Sequence, residues 1–138
     1  MRKLLKTGIV PLMMVLSLTL GSNGGVLQVR TGEWAPAANL LEARANSTAT
    51  LLQDGRVLIA GGSDADGNAL ASAEFFGPDG SISVAAAMNS ARSRHIAVAL
   101  QDGRVLVAGG VGTNGMPLFS AEIFDPVTNS WSPAASGM

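Results

Sequence analysis

The chain repeats itself at an offset of 48 residues. A ten-residue segment that begins at Gln53 recurs from Gln101 with one position changed. The same offset aligns the Ser-Ala-Glu-x-Phe segments that begin at Ser72 and Ser120, without a gap. A unit of this length is one supersecondary element that cannot bury its apolar faces alone, so repeated units are expected to stack on one another. The repeat therefore predicts a modular fold of successive, equivalent units.

Each unit contains two short apolar runs joined by an Asp-Gly pair. The runs are 48–52 and 57–59 in the first unit, and 97–100 and 105–107 in the second. Asp-Gly tolerates positive φ and is typical of a type I′ hairpin turn. The Ser-Ala-Glu segment is expected to form a third strand, and the residues around Ile82 and Trp131 a fourth. The sequence thus predicts an all-β chain of four-stranded antiparallel units, with both faces of each sheet covered by neighbours.

The order of these motifs resembles the kelch repeat. The second unit contains Arg92, His95, Asp102, Gly103, Gly109, Gly110, Glu122, Phe124, Asp125, Pro126 and Trp131 in that order. The first unit departs from this pattern, with Ser47 at the histidine position and Ile82 at the tryptophan position. The resemblance implies a β-propeller built from blades of about 40 to 50 residues, usually about six or seven of them. It also implies structural roles for the repeated glycines, glutamates and tryptophans, namely Gly61, Gly62, Gly109, Gly110, Glu74, Glu122, Trp34 and Trp131.

The remaining residues divide around the two repeats. Arg2, Lys3 and Lys6 precede an uncharged, mostly apolar stretch at 8–20, which is typical of a signal peptide. That stretch is shorter than the roughly 20 residues of a membrane-spanning helix. We expect a signal peptide at 1–24, a spare outer strand and linker at 25–42, kelch repeat 1 at 43–86 and kelch repeat 2 at 87–138. The chain is accordingly expected to be exported to the periplasm, cell surface or medium, with no permanent membrane span.

Two blades and a spare strand make an incomplete propeller. Rings of this kind close with about four to eight blades, and an open arc exposes apolar faces and strand edges. The sequence favours a fragment of a larger propeller. An alternative is a homo-oligomer in which several copies together complete the ring.

Composition excludes several classes of function. The sequence has one histidine, no cysteine and no tyrosine, which rules out disulfides, thiolate metal sites and cysteine or tyrosine nucleophiles. Without the signal peptide the chain is mildly acidic and has no basic cluster, so nucleic acid is not an expected partner. Asp64, Asp66 and Asn68 match only part of a calcium-binding loop, and an ordinary solvated loop is expected there. We expect no metal and no cofactor.

The candidate ligand-contacting residues lie where each unit leads into its first strand. Arg44 and Arg92 occupy equivalent positions there, and Arg94 and His95 follow Arg92. The kelch resemblance implies that this position and the adjacent loops face a ligand, so Arg44, Arg92, Arg94 and His95 are predicted to form a ligand-facing rim.

A repeated ion pair is predicted inside each blade. Arg56 and Arg104 occupy equivalent positions, as do Glu74 and Glu122 in the third strand. If neighbouring strands pair in a meander, arginine and glutamate are expected to face one another.

The sequence predicts a binding or scaffold module for a protein or carbohydrate ligand, and not an enzyme. The alternative is the propeller portion of a secreted carbohydrate-active enzyme or of an oxidoreductase similar to galactose oxidase. The chemistry of that oxidase family, as the resemblance implies it, requires tyrosines, a cysteine crosslink and two histidines. This chain does not contain that set.

Overall fold

The computed structural model describes residues 38–134, which lie within the compact unit Ala37–Met138. The predicted signal peptide and the predicted spare strand at Trp34 lie outside the described residues. Eight strands are present in the described part: β1 (Thr48–Leu51), β2 (Val57–Ala60), β3 (Ala73–Phe76), β4 (Ile82–Ala85), β5 (Ile96–Ala99), β6 (Val105–Ala108), β7 (Ala121–Asp125) and β8 (Ser130–Pro133).

The strands form two four-stranded antiparallel sheets in sequence order, β1-β2-β3-β4 and β5-β6-β7-β8. We call these sheets blade 1 and blade 2. Within residues 38–134, the predicted all-β fold with two antiparallel blades of an incomplete kelch-type propeller is confirmed. Nowhere in residues 38–134 is there a helix long and apolar enough to cross a membrane.

The first three strands of the two blades pair in the same register. Ile59 lies opposite Glu74 in blade 1, and Val107 lies opposite Glu122 in blade 2. The offset of 48 residues in the sequence is therefore preserved in the pairing of these strands. The fourth strand is shifted by one residue, since Phe76 lies opposite Ile82 whereas Phe124 lies opposite Trp131. Equivalent residues can be compared directly between the blades.

The Asp-Gly hairpins form as predicted, but their turn type is different. The amide of Gly55 donates to the Leu52 carbonyl and the amide of Leu52 donates to the Arg56 carbonyl, which encloses a three-residue loop. Gly55 has a φ of 86°, whereas Asp54 is not among the residues with positive φ. A type I′ turn needs positive φ at both central residues, so the prediction of type I′ is wrong. The turn is a type I turn closed by a glycine in the left-handed region.

The blades stack through opposite faces of equivalent strands. In β2 the buried residues are Leu58 and Ala60, whereas in β6 they are Val105 and Val107, which are displaced by one residue in the repeat. Because side chains alternate between the faces of a strand, this shift means that blade 1 packs through one face and blade 2 through the other. The buried apolar core lies between the two sheets and includes Phe75 of β3 and Phe124 of β7, whose ring centroids are 5.9 Å apart.

The first glycine of each double-glycine pair shows where a neighbouring blade lies. Gly61 has a φ of 59°, and a Cβ atom there would be 2.5 Å from the Arg92 carbonyl oxygen and 2.8 Å from His95 Cε1. Gly109, the equivalent residue of blade 2, has a φ of 68°, but the nearest atom to its Cβ position is the Leu118 carbonyl oxygen at 3.8 Å. Within one chain, Gly61 is thus required by both backbone conformation and close packing, and Gly109 by conformation alone.

Trp131 fixes the outer strand of blade 2. Its ring lies 4.9 Å from that of Phe124, and its indole N–H donates to the Ala86 carbonyl at 2.8 Å. Ala86 lies in the connection between the blades, so this bond joins blade 2 to the end of blade 1. In blade 1 the corresponding position is Ile82.

Candidate functional site

Arg92 and Glu122 form a buried ion pair in blade 2. One guanidinium nitrogen of Arg92 donates to Glu122 Oε1 at 2.9 Å, and the other donates to the carbonyls of Gly109 and Ser120. The side chains are 0% and 4% exposed. The arginine thereby links the segment before β5, the innermost strand of blade 2, to β7 and to the end of β6.

Arg44 and Glu74 repeat this arrangement in blade 1, with a nitrogen–oxygen distance of 2.6 Å. Arg44 also donates to the carbonyls of Gly61 and Ser72. Arg44 and Arg92 are predicted from the sequence to belong to the ligand-facing rim, but the structure places their guanidinium groups inside the blades, buried and hydrogen-bonded. Their charge is used to join strands and is not presented to solvent.

The predicted pairing of Arg56 and Arg104 with the β3 and β7 glutamates is wrong. Arg56 pairs with Asp54 at 2.6 Å and lies over the Phe75 ring, and Arg104 pairs with Asp102 at 2.6 Å. Each of these arginines stands at the hairpin turn, next to the aspartate two residues before it. The glutamates lie further along the sheet, opposite the middle of the preceding strand, and are reached by the arginines that precede the inner strands.

Hydrogen bonds keep the two buried glutamates ionised. Burial opposes ionisation of Glu122, but the amides of Asn89 and Ser90 and the guanidinium of Arg92 outweigh it and hold the pKa of Glu122 below its ordinary value. The pKa of Glu74 is lowered in the same way, against burial, by the Leu41 amide and Arg44. Each glutamate therefore also anchors the segment that leads into its blade.

His95 lies at the contact between β1 and β5, the innermost strands of the two blades. Its Nε2 is 2.9 Å from Thr48 Oγ1 of blade 1, and its Nδ1 is buried without a partner among the described residues. Burial first, and then the positive charge of Arg92, lower the pKa of His95 below 6.5. The imidazole is thus held neutral between the blades, with one nitrogen in use and only 7% of the residue exposed.

Arg94 is the predicted rim residue that the structure places on the surface. Its backbone φ is 55°, unusual for a residue other than glycine, and Asn46 at the equivalent position of blade 1 has a φ of 56°. The Arg94 amide donates to the Asn46 carbonyl at 3.0 Å, which ties together the segments that lead into the two inner strands. Among the described residues no carboxylate lies within ion-pair distance of the Arg94 guanidinium. Ligand contact by Arg94 and His95 stays a prediction.

The loop at Asp64 is capped by its own side chains. Asp64 accepts hydrogen bonds from the amides of Asp66 and Asn68 and from the Asn68 side chain. Within residues 38–134 no group of three or more histidine, cysteine, aspartate or glutamate side chains is placed to hold a metal ion. The carboxylate of Asp64 therefore serves to shape the loop.

A cleft of about 430 Å³ opens between the blades at the end where the hairpin turns lie. We call it the turn-end cleft. It is lined by Leu52, Gln53, Asp54, Asp102, Gly103, Arg104, Asp125, Pro126 and Val127. Blade 1 contributes the first three of these residues and blade 2 the others. The cleft is within the size range of small-ligand sites.

The walls of the turn-end cleft are held in place by bonds between the blades. Gln53 donates its side-chain amide to the Gln101 carbonyl at 3.2 Å, and Arg56 donates to the Pro126 carbonyl at 3.4 Å. The carboxylates of Asp54 and Asp102 are each fixed by an arginine, and the hydrogen bond from that arginine is the main cause that lowers the pKa of each aspartate. The cleft thus presents ionised carboxylates in set orientations beside guanidinium and amide donors.

The cleft does not follow from the sequence alone. From the sequence alone, the repeated Gln-Asp-Gly-Arg motif predicts only a turn and a source of ion pairs within each blade. The signal that points to the cleft is the recurrence of the same polar residues around both turns of this one chain, since a turn alone requires only the glycine. Stacking of the blades then brings two identical polar turns side by side.

The motif and the fold define a class of protein. Residues 92–138 match the family model of the Kelch motif, which covers blade 2 and the four residues that precede it. The chain carries a kelch motif on the fold of kelch-type propeller blades, and the resemblance seen in the sequence is confirmed.

One solved structure with this fold is a fungal alcohol oxidase of the AA5 family, in complex with copper. The TM-score is 0.60 at 19% sequence identity, and the match covers 69% of this chain and 23% of the oxidase. The chain therefore spans about a quarter of the length of that enzyme, and the likeness is one of fold. No curated protein sequence matches the chain.

Proposed function

We propose that this chain is part of an exported kelch-type propeller that binds a carbohydrate ligand in the turn-end cleft. The observation that carries the proposal is the meeting of two Gln-Asp-Gly-Arg turns, from successive blades, around one cleft of about 430 Å³. At the opposite end of the blades, Arg44 and Arg92 are committed to buried ion pairs. The turn end, by contrast, keeps its charged groups in contact with solvent.

The mixture of donors and acceptors in the cleft favours a neutral, hydroxyl-rich ligand. Sugar hydroxyls both donate and accept hydrogen bonds, which matches carboxylate oxygens at Asp54 and Asp102 next to the Arg104 guanidinium and the Gln53 amide. A basic peptide would bind best to carboxylates without an ion-pair partner, whereas Asp54 and Asp102 are already paired with arginines of the same chain. Apolar atoms of Pro126 offer contact to the C–H face of a sugar ring.

Titration calorimetry of the full chain against neutral cello-, chito-, malto- and xylo-oligosaccharides tests this assignment. We expect binding to at least one of these sugars, and a loss of about tenfold or more in affinity for Asp102→Asn, because a hydrogen bond to a charged group contributes about 1.5 to 3 kcal/mol. Asp66→Asn, an exposed carboxylate in the loop after β2, is the matched control and should bind as the parent does. Absence of binding by the folded chain, or equal losses in the two variants, would contradict a glycan site in this cleft.

A role within an oxidase is the second candidate, and the likeness to the copper-containing fungal enzyme is the observation in its favour. The side chains of this chain do not fit a copper centre. His95 is the single histidine of the sequence, and it lies between the blades with Nε2 in contact with Thr48. Uptake of one equivalent of Cu²⁺ that is abolished by His95→Gln would contradict this conclusion.

A further inference from the structure

Blade 2 has an apolar face that no described residue covers. It contains Ile96, Val98, Leu106, Ala108, Leu118 and Phe119, and we call it the open face. Ile96 is 64% exposed, Val98 51% and Phe119 92%. The part of this face next to the double glycine encloses a groove of about 470 Å³ that reaches Gly109. Exposed apolar surface of this extent is typical of an interaction site.

The same face of blade 1 is buried, and blade 2 is what buries it. Leu58 and Ala60, equivalent to Leu106 and Ala108, are each 1% exposed. Thr50, equivalent to Val98, is 9% exposed. The chain itself therefore shows what kind of surface packs on the open face: the face of a blade that carries the valines of β6 or their equivalents.

Every copy of the chain carries that complementary surface on blade 1. Val57 and Ile59 are the equivalents of Val105 and Val107, which blade 2 inserts against blade 1 at 0% exposure. They are half-buried in blade 1. We call the surface formed by Val57, Ile59 and the preceding segment 40–46 the outer face.

Backbone groups match across the two faces as well. In the described part of the chain, four backbone hydrogen bonds join blade 2 to blade 1: Met88 N to Ala71 O, Arg92 N to Leu70 O, Gly62 N to Arg92 O and Arg94 N to Asn46 O. The equivalent groups on the open face are the carbonyls of Phe119, Leu118 and Arg94 and the amide of Gly110. Their counterparts on the outer face are the amides of Leu40, Arg44 and Asn46 and the carbonyl of Arg44. None of these eight groups has a backbone partner among the described residues.

From this equivalence we infer that the open face of blade 2 binds the outer face of blade 1 of a second copy of this chain. The contact is heterologous, since each copy uses two different surfaces. A ring of about four to eight blades closes with about two to four copies. The contact lacks two side-chain bonds that are present inside the chain. Ser47 and Ile96 replace His95 and Thr48, and Ile82 replaces Trp131, whose indole N–H donates to Ala86.

Light scattering and native mass spectrometry of the full chain over a range of concentrations test the inference. We expect a species with the mass of about two to four chains. Phe119→Glu on the open face and Ile59→Glu on the outer face should each raise the dissociation constant at least about tenfold. If Ile59→Glu does not fold, Leu40→Glu places a charge on the same face. Val127→Glu, an exposed apolar residue at the turn end, is the control and should assemble as the parent does.

Mixing the two interface variants gives the sharper result. The Phe119→Glu chain keeps its outer face and the Ile59→Glu chain keeps its open face, so an equimolar mixture should form a dimer and nothing larger. Gly109→Ala should also disrupt assembly, by placing a Cβ atom where the second copy packs. Gly115→Ala, in a loop with a similar φ of 72° and no atom within 4 Å, should not.

A chain that stays monomeric at all concentrations would overturn the inference and assign the open face to a different protein or to a further blade. An oligomer that survives both charge variants, or a mixture that gives no dimer, would also overturn it. Carbohydrate binding does not depend on this contact, because both walls of the turn-end cleft come from one chain.

Discussion

Replacing Glu122 by glutamine tests whether the buried ion pair stabilises blade 2. Oε1 accepts hydrogen bonds from Arg92 and from the Ser90 amide, and Oε2 accepts two from Asn89. An amide group can accept on one side only, so its NH₂ faces donors on the other side. The guanidinium also loses its counter-charge at 0% exposure. Breaking a buried pair from one side costs about 3 to 5 kcal/mol, a large part of the roughly 5 to 15 kcal/mol that stabilises a domain of this size.

Urea unfolding followed by circular dichroism at fixed protein concentration measures this loss. With a slope of about 1 to 3 kcal/mol per molar urea, the midpoint should fall by at least about 1 M. Asp102→Asn is the matched control, because it removes a pair of shorter distance, 2.6 Å, whose side chains are 45% and 50% exposed. The control should leave the midpoint nearly unchanged. Equal shifts in the two variants, or a loss below about 1 kcal/mol for Glu122→Gln, would refute the argument from burial.

The same pair gives stability a dependence on acid pH. The pKa of Glu122 is lower in the folded chain than its ordinary value of 4.5, so the unfolded chain takes up the proton first as pH falls. The contribution of Glu122 is complete above pH 4.5 and is lost as pH falls through its folded pKa. Glu122→Gln should therefore show a shallower acid limb in urea midpoints measured between pH 6 and pH 3, and an unchanged limb would contradict the assignment.

Two further predictions concern the contact between the blades. The pKa of His95 is lowered by burial, so the free energy of unfolding should begin to fall as pH drops below about 6.5. His95→Gln should remove this loss of stability and leave the loss below pH 4.5 in place. If the loss below pH 6.5 persists in the variant, another group causes it. Gly61→Ala should cost about 1 to 2 kcal/mol for its positive φ and about 1 to 3 kcal/mol more for overpacking against Arg92, as measured by thermal melting of the dilute protein. Gly109→Ala should show the conformational cost alone, and equal melting temperatures for the two glycine variants would count against close packing at Gly61.

The repeat allowed much of the fold to be predicted, because hydrogen bonds between neighbouring strands depend on local patterns. The strands, the hairpins and the positions of the double glycines follow from the short apolar runs and the turn residues. The partners of charged side chains did not follow. Arg92 reaches Glu122 because the segment that leads into the inner strand lies beside the middle of β7, a proximity that sequence spacing does not show. The turn-end cleft was missed for the same reason, since Asp54 and Asp102 meet only when the blades stack.

The equal register of β1–β3 and β5–β7 also bears on how the chain folds. The hairpins β1–β2 and β5–β6 offer the same pattern of backbone donors and acceptors, so either can pair with β3 or with β7 during folding. Exchange of equivalent elements is a characteristic misfolding route of repeat proteins. The contacts that distinguish the two blades are those without a counterpart, the His95–Thr48 bond and the stacking of Trp131 on Phe124. These few departures from the repeat therefore favour the native pairing of hairpins and strands over the exchanged one.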